Sequence, residues 1–123
     1  MPENQPNFPK VDRVIHEPAR LAILTVLSAC SSADFTFLQT ATGLSKGNLS
    51  VQLTRLEEAG LTSIDRVLER KKTRTTVKLS SAGGIQLNEY WNTMKRIQEQ
   101  GAARLDKDFA RTSLNLKKRA TDR

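Results

Sequence analysis

Between Val11 and Ile97, apolar residues keep helical spacing on either side of an interval rich in β-branched residues, so helices should flank a short sheet. In "VDRVIHEPARLAILTVLSA", Val14, Ile15, Leu21, Leu24 and Leu27 recur at roughly helical intervals, while Pro18 disfavours helical geometry at Glu17. The spacing predicts a short turn and then a helix from Pro18 to Ala29. In "SSADFTFLQTATG", Thr36 followed three residues later by Gln39 has the form of a capping box, and Gly43 can close the helix in a left-handed conformation. That helix has barely two turns.

The Ser45 hydroxyl can cap a third helix, on which Leu49, Leu53 and Leu56 line one face before Gly60 stops it. "LTSIDRVLE" and "TRTTVKLS" then flank the polar "RKK" as the strands of a hairpin would. Helix returns at Ser80 or Ser81, where Leu87, Tyr90, Trp91, Met94 and Ile97 form an apolar stripe, and it is expected to end in the low hundreds. Residues 1–10, polar and proline-rich, read as a flexible arm, and residues 106–123 as a basic C-terminal tail of frayed helix or disorder. The expected class is mainly α with a small β-hairpin: an α+β winged helix-turn-helix whose single domain covers residues 11–105, including a long last helix over about 81–105.

Composition narrows the partners. Lys and Arg number 20 against 13 Asp and Glu, a net charge of +7, which favours polyanions, with nucleic acid ahead of an anionic membrane. No segment has the apolar run of a signal peptide or a membrane span, so a cytoplasmic protein without a membrane partner is expected. The single cysteine, Cys30, reads as a small buried hydrophobe. His16 is the sole histidine, nothing has metal-ligand spacing, and no nucleophile elbow or phosphate-binding glycine loop occurs; the glycines are accounted for by caps. An enzyme, a metal and a cofactor are therefore not expected. RNA recognition would call for stacking aromatics, and only 5% of residues are aromatic.

Three segments, "IHEPARLAIL", "DFTFLQTATGLSKGNLSVQLTRLEEAGL" and "KKTRTTVKLSSAG", resemble the short winged-helix transcriptional regulators allied to the MarR and ArsR families, over roughly Val11 to Ile97. The order and spacing of "GNLS", "LEEAGL", "RTT" and "LSSAG" discriminate better than any one of them. The resemblance implies a homodimer on double-stranded DNA, with the recognition helix 45–59 in the major groove and the wing 66–78 at the minor groove. It also implies pairing through the last helix, on which Leu87, Tyr90, Trp91, Met94 and Ile97 are the candidate interface; the alternative is that this stripe packs only on the subunit's own first helix.

The residues agree with that implication. At 100° per residue, Leu53 and Leu56 fall within about 40° of Leu49, whereas Gly47, Val51, Thr54 and Glu58 point the other way. Asn48, Ser50 and Arg55 flank this outward face, whose small, amide and hydroxyl surface suits base edges; Arg55 can reach a guanine or a phosphate. Gly47 costs about 1 kcal/mol of helix propensity against alanine, tolerable if DNA backbone passes there and equally tolerable if the position is simply near a helix start. In the wing, Arg74 carries the minor-groove role that the resemblance implies, and Arg70, Lys71 and Lys72 are assigned to phosphate.

Two positions depart from the resembled pattern. Glu69 stands where glycine often precedes the wing arginines, leaving the turn conformation open, and Lys46 stands where an acid is common, adding a phosphate contact at a helix N-terminus. His16 and Glu17 are expected to support the fold or an interface. Sensory members of the resembled families bind small ligands or metals; here an effector is left open and unnamed. The competing reading is a winged helix used as a protein-interaction module without specific DNA binding.

Overall fold

The structure is a computed structural model that describes residues 9–121, with nothing resting on the side chains of Asp106 and 113–121. All but the last two residues of the expected arm, and residues 122–123 of the expected tail, lie outside the described residues. The chain divides into two units, Val11–Tyr90 and the remainder on either side of it.

The element order is α1 (Pro18–Ser28), β1 (Ala33–Asp34), α2 (Phe35–Thr42), α3 (Lys46–Glu58), β2 (Thr62–Glu69), β3 (Lys72–Leu79) and α4 (Ser81–Thr121). Pro18 opens α1 where no backbone donor is needed. Glu17 caps it with both carboxylate oxygens, accepting from the N–H groups of Ala19 at 3.1 Å and Arg20 at 2.8 Å. The cap of α2 differs from the expected Thr36: Asp34 accepts from Phe37 N–H at 2.7 Å. Pairing of Asp34 with Thr76 fixes it in extended geometry, and so supplies a strong capping carboxylate two residues ahead of Thr36. Gly43 closes α2 at φ 72°, Ser45 caps α3 through Asn48 N–H at 3.1 Å, and Gly60 leaves α3 at φ 76°, all as the sequence indicates.

The sheet has three strands in the order β1-β3-β2, one more than the expected hairpin. β1 pairs only Ala33 with Val77 and Asp34 with Thr76, too short a run to leave a periodic trace. Between β2 and β3, Glu69 pairs with Lys72, so the loop is two residues long. Arg70 and Lys71 occupy it at φ 49° and 64°, the pattern of the tight hairpin turn that usually takes Asn-Gly. Glu69 is therefore the last strand residue, and the missing glycine is replaced by two strained cations.

Ile15, Ile23, Leu24, Leu27, Leu38, Leu49, Leu56, Leu61 and Val77 are fully buried, while Cys30 is only half-buried. The start of α4 is tied to the end of α3 through Ser80, whose hydroxyl accepts from Gly83 N–H at 2.9 Å and donates to the Gly60 carbonyl at 2.6 Å. Gly83 is no cap residue, contrary to the expectation for the glycines: a Cβ there would lie 2.0 Å from the Leu61 carbonyl oxygen. α4 also continues past the expected end to Thr121, so the described part of the tail is helix. Nine of its sixteen residues 106–121 are the helix-favouring Ala, Arg, Leu and Lys, and none is Gly or Pro.

Gly83→Ala should lower stability by roughly 1–3 kcal/mol, because a backbone carbonyl cannot swing aside as a side chain could. Chemical denaturation checks this, and an unchanged midpoint would mean that the first turn of α4 is not seated against Leu61.

Candidate nucleic-acid interface

Burial of Leu49, Leu53 and Leu56 sets the rotation of α3 and leaves Lys46, Gly47, Asn48, Ser50, Val51, Thr54 and Arg55 exposed. A Cβ on Gly47 would meet nothing within 4 Å, so the fold itself does not demand glycine at this position. Thr54 donates its hydroxyl proton to the Ser50 carbonyl at 3.0 Å, which satisfies that proton within the helix.

Lys46 and Ser50 from α3 share an open cleft of about 530 Å³ with Thr73, Arg74 and Thr75 of β3 and with Asp34. A smaller cleft of about 110 Å³ joins Ser50 and Thr54 to Arg66 and Thr75. Part of the hydroxyl-bearing face of α3 thus borders open space shared with the wing, while Arg66 and Arg74, at adjacent register positions, lie on opposite faces of the hairpin. Arg55 is set apart, in a cleft of about 410 Å³ with Arg13, Arg20 and Glu58.

The wing is less uniformly cationic than its sequence suggests. Arg74, 59% exposed, stands 3.8 Å from Asp34 Oδ2 and 3.8 Å from Glu69 Oε2, between two carboxylates. Arg70, Lys71 and Lys72 make no ion pair among the described residues, so the tip carries the uncompensated charge. Val67 and Leu68 are exposed beside it. Asp34 was not legible as a site residue, because its approach to Arg74 depends on a strand pairing with no local signal.

A polar chain runs from α1 onto the exposed face of α3. Arg20 Nη1–H donates to Gln52 Oε1 at 2.9 Å, and Gln52 Nε2–H donates to Asn48 Oδ1 at 3.0 Å. Behind Arg20 stands Glu17, at 3.8 Å. Partial burial works to raise the Glu17 pKa, but the backbone N–H groups of Arg20 and Ala19, with the charges of Arg20 and Arg55, outweigh it and hold the carboxyl below its ordinary value near 4.5. The spacing of Gln52 from Asn48 could have flagged that pair; the link to Arg20 could not be read from sequence.

Of the five residues on the last helix's stripe, Leu87 and Tyr90 are buried within the Val11–Tyr90 unit, and Tyr90 Oη lies 2.9 Å from His16 Nδ1. His16 thus has the expected supporting role. Trp91 is 46% exposed, and Met94 and Ile97 are half-buried. Leu105 and Phe109, 68% and 72% exposed, extend the stripe beyond the point where the sequence reading ended it. Among the described residues no His, Cys, Asp and Glu group could hold a metal, and no helix is long and apolar enough to cross a membrane.

Residues 19–98 match the family model described as a winged helix DNA-binding domain. The fold is similar to that of a transcriptional regulator homologue from Pyrococcus horikoshii OT3, with a TM-score of 0.67 and 25% identity over 72% of this chain and 88% of that one. It is also similar to a MarR-family regulator from Silicibacter pomeroyi, with a TM-score of 0.55 and 22% identity over 71% of this chain and 57% of that one. The repressor CouR, solved on a 23-mer DNA duplex, shares the fold at a TM-score of 0.61 and 22% identity over 89% of this chain and 77% of that one.

Glu17→Ala should cost about 1 kcal/mol of stability at neutral pH through loss of the helix cap. Because the folded pKa is depressed, the carboxylate's contribution is complete above the ordinary value near 4.5 and is lost as pH falls through the lower folded value. Denaturation of both proteins across that range should show the gap closing in acid; a gap independent of pH would contradict the assignment.

Proposed function

This chain belongs to the winged helix DNA-binding domain family, and from that premise we propose that it is a sequence-specific transcriptional regulator that binds duplex DNA as a homodimer in the cytoplasm. The observation that carries the reading is the shared cleft: Lys46 and Ser50 of α3 and Arg74 of the wing border the same open space. A duplex entering from that side meets small hydroxyl and amide groups on α3 and cations on the wing together.

In this arrangement α3 lies in the major groove, where Gly47, Asn48, Ser50, Val51 and Thr54 approach base edges. Lys46, Arg70, Lys71 and Lys72 contact phosphates, and Arg55, on the other flank of α3, takes a phosphate farther along. Arg74 enters the minor groove and exchanges its two carboxylate neighbours for the groove's negative potential. Trp91, Met94 and Ile97, continued by Leu105 and Phe109, form the contact between subunits, while Leu87 and Tyr90 anchor the helix to its own core. Two-fold pairing sets the recognition helices about 34–36 Å apart and calls for a near-palindromic site. No effector is assigned. Exposed Val51, Val67 and Leu68 favour the second reading, a protein-interaction module, but they are outnumbered by the exposed polar and cationic residues of α3 and the wing.

Selection of bound fragments from randomised duplexes should return a palindrome, and light scattering at micromolar concentration should give a dimer. With roughly eight phosphates neutralised, affinity should fall by about 10³ to 10⁵ between about 50 and 200 mM salt. Arg74→Ala should weaken binding to most sequences alike, whereas Asn48→Ala should cost about 1–3 kcal/mol and relax one position in each half-site. Gly47→Leu should fold normally and lose affinity. A flat salt response together with no selected sequence would leave the interaction module as the better reading.

A further inference from the structure

The polar chain that ends on Asn48 has a direction, and that direction is chemically forced. A guanidinium carries donors and no acceptor, so the Gln52 atom facing Arg20 Nη1 at 2.9 Å has to be the amide oxygen. Arg20 itself has little freedom: its side chain is 12% exposed, it donates to the backbone carbonyls of Val14 and Arg13, and Glu17 stands beside it. With its oxygen held inward, Gln52 presents its NH₂ to the helix surface. There it meets Asn48 at 3.0 Å, and the atom that accepts from an NH₂ has to be Asn48 Oδ1. The Asn48 amide is thereby locked with its own NH₂ directed away from Gln52. An unrestrained asparagine would turn its amide to suit whichever base it met.

We infer that Arg20 and Gln52 are positioning residues that fix the amide orientation of Asn48, so that this recognition-helix residue meets DNA nitrogen-first and reads a hydrogen-bond acceptor. Guanine O6 and N7, thymine O4 and adenine N7 are acceptors in the major groove, whereas cytosine offers only the N4 donor. Cytosine is the base selected against at the position Asn48 contacts. The inference rests on α3 being the recognition helix, and it adds a rule for one base per half-site whose origin lies in α1.

Gln52→Glu tests it. The carboxylate still accepts from Arg20, so the tie to α1 survives, but it has no proton for Asn48 Oδ1; the amide should turn over, donate to the carboxylate and present its oxygen outward. The extra negative charge lowers affinity for all duplexes alike, so the readout is the ratio between bases in a selection from randomised duplexes. The Asn48 position is located as the one whose preference Asn48→Ala abolishes. For the unmodified chain cytosine should be disfavoured there by about tenfold, and in Gln52→Glu the disfavour should vanish or reverse, with cytosine or adenine rising through N4 or N6. Gln52→Met, which holds Asn48 in neither sense, should lose the preference without reversing it, and serves alone if Gln52→Glu does not fold. If the unmodified chain selects no sequence, the reading of sequence-specific DNA binding fails and the positioning role falls with it. If it selects a site whose base ratios are the same in the Gln52 variants, the DNA-binding reading stands and the positioning role is overturned.

Discussion

Three leucines govern the molecule's outward chemistry. Leu49, Leu53 and Leu56 are buried to within 3% of complete exclusion from solvent, and a helix held on one face by three such residues cannot rotate about its axis. Removing one would cost several kcal/mol of burial and cavity energy, about 2–5 for a leucine cut to alanine. That cost is what turns the opposite face into a fixed display of glycine, amide, hydroxyl and methyl groups. One rotational setting of α3 decides which of its side chains reach the surface.

The central strand supplies the second coordinate. β3 lies between β1 and β2, so its register simultaneously sets where Arg74 stands relative to Asp34 and where the wing projects relative to α3. Electrostatics is layered onto this frame. Asp34 is at once the cap of α2 and a neighbour of Arg74, so a carboxylate required by the helix also restrains a wing arginine. At the other end of α3, Glu17 combines capping of α1 with support of Arg20. Acids that begin as local devices for helix ends thus also hold the arginines beside α3 and on the wing.

The helices, their glycine stops and the hairpin were legible because each has a local cause: apolar spacing, a capping hydroxyl, a β-branched run. The outward set on α3 was legible for the same reason, being fixed by the positions of three leucines. What escaped was non-local. β1 is two residues long and exists only because Val77 and Thr76 accept it; Asp34 displaced Thr36 as a cap because of that pairing. The need for Gly83 arises from the Leu61 carbonyl, twenty-two positions earlier in the numbering. Leu105 and Phe109 carry a different kind of hidden signal: two apolar residues in a charged segment form part of a stripe only because the helix beneath them continues.

The hairpin's connection holds a last consequence. Arg70 and Lys71 adopt a backbone shape that glycine takes without steric penalty, yet as residues with side chains they have far fewer alternatives to wander through. A glycine-built finger would surrender much of its mobility each time it gripped a ligand. Here the backbone alternatives are fewer from the outset, so holding the two-residue connection in one shape costs less chain entropy than a glycine pair would, while the long Arg70 and Lys71 side chains keep the rotamer freedom of exposed cations.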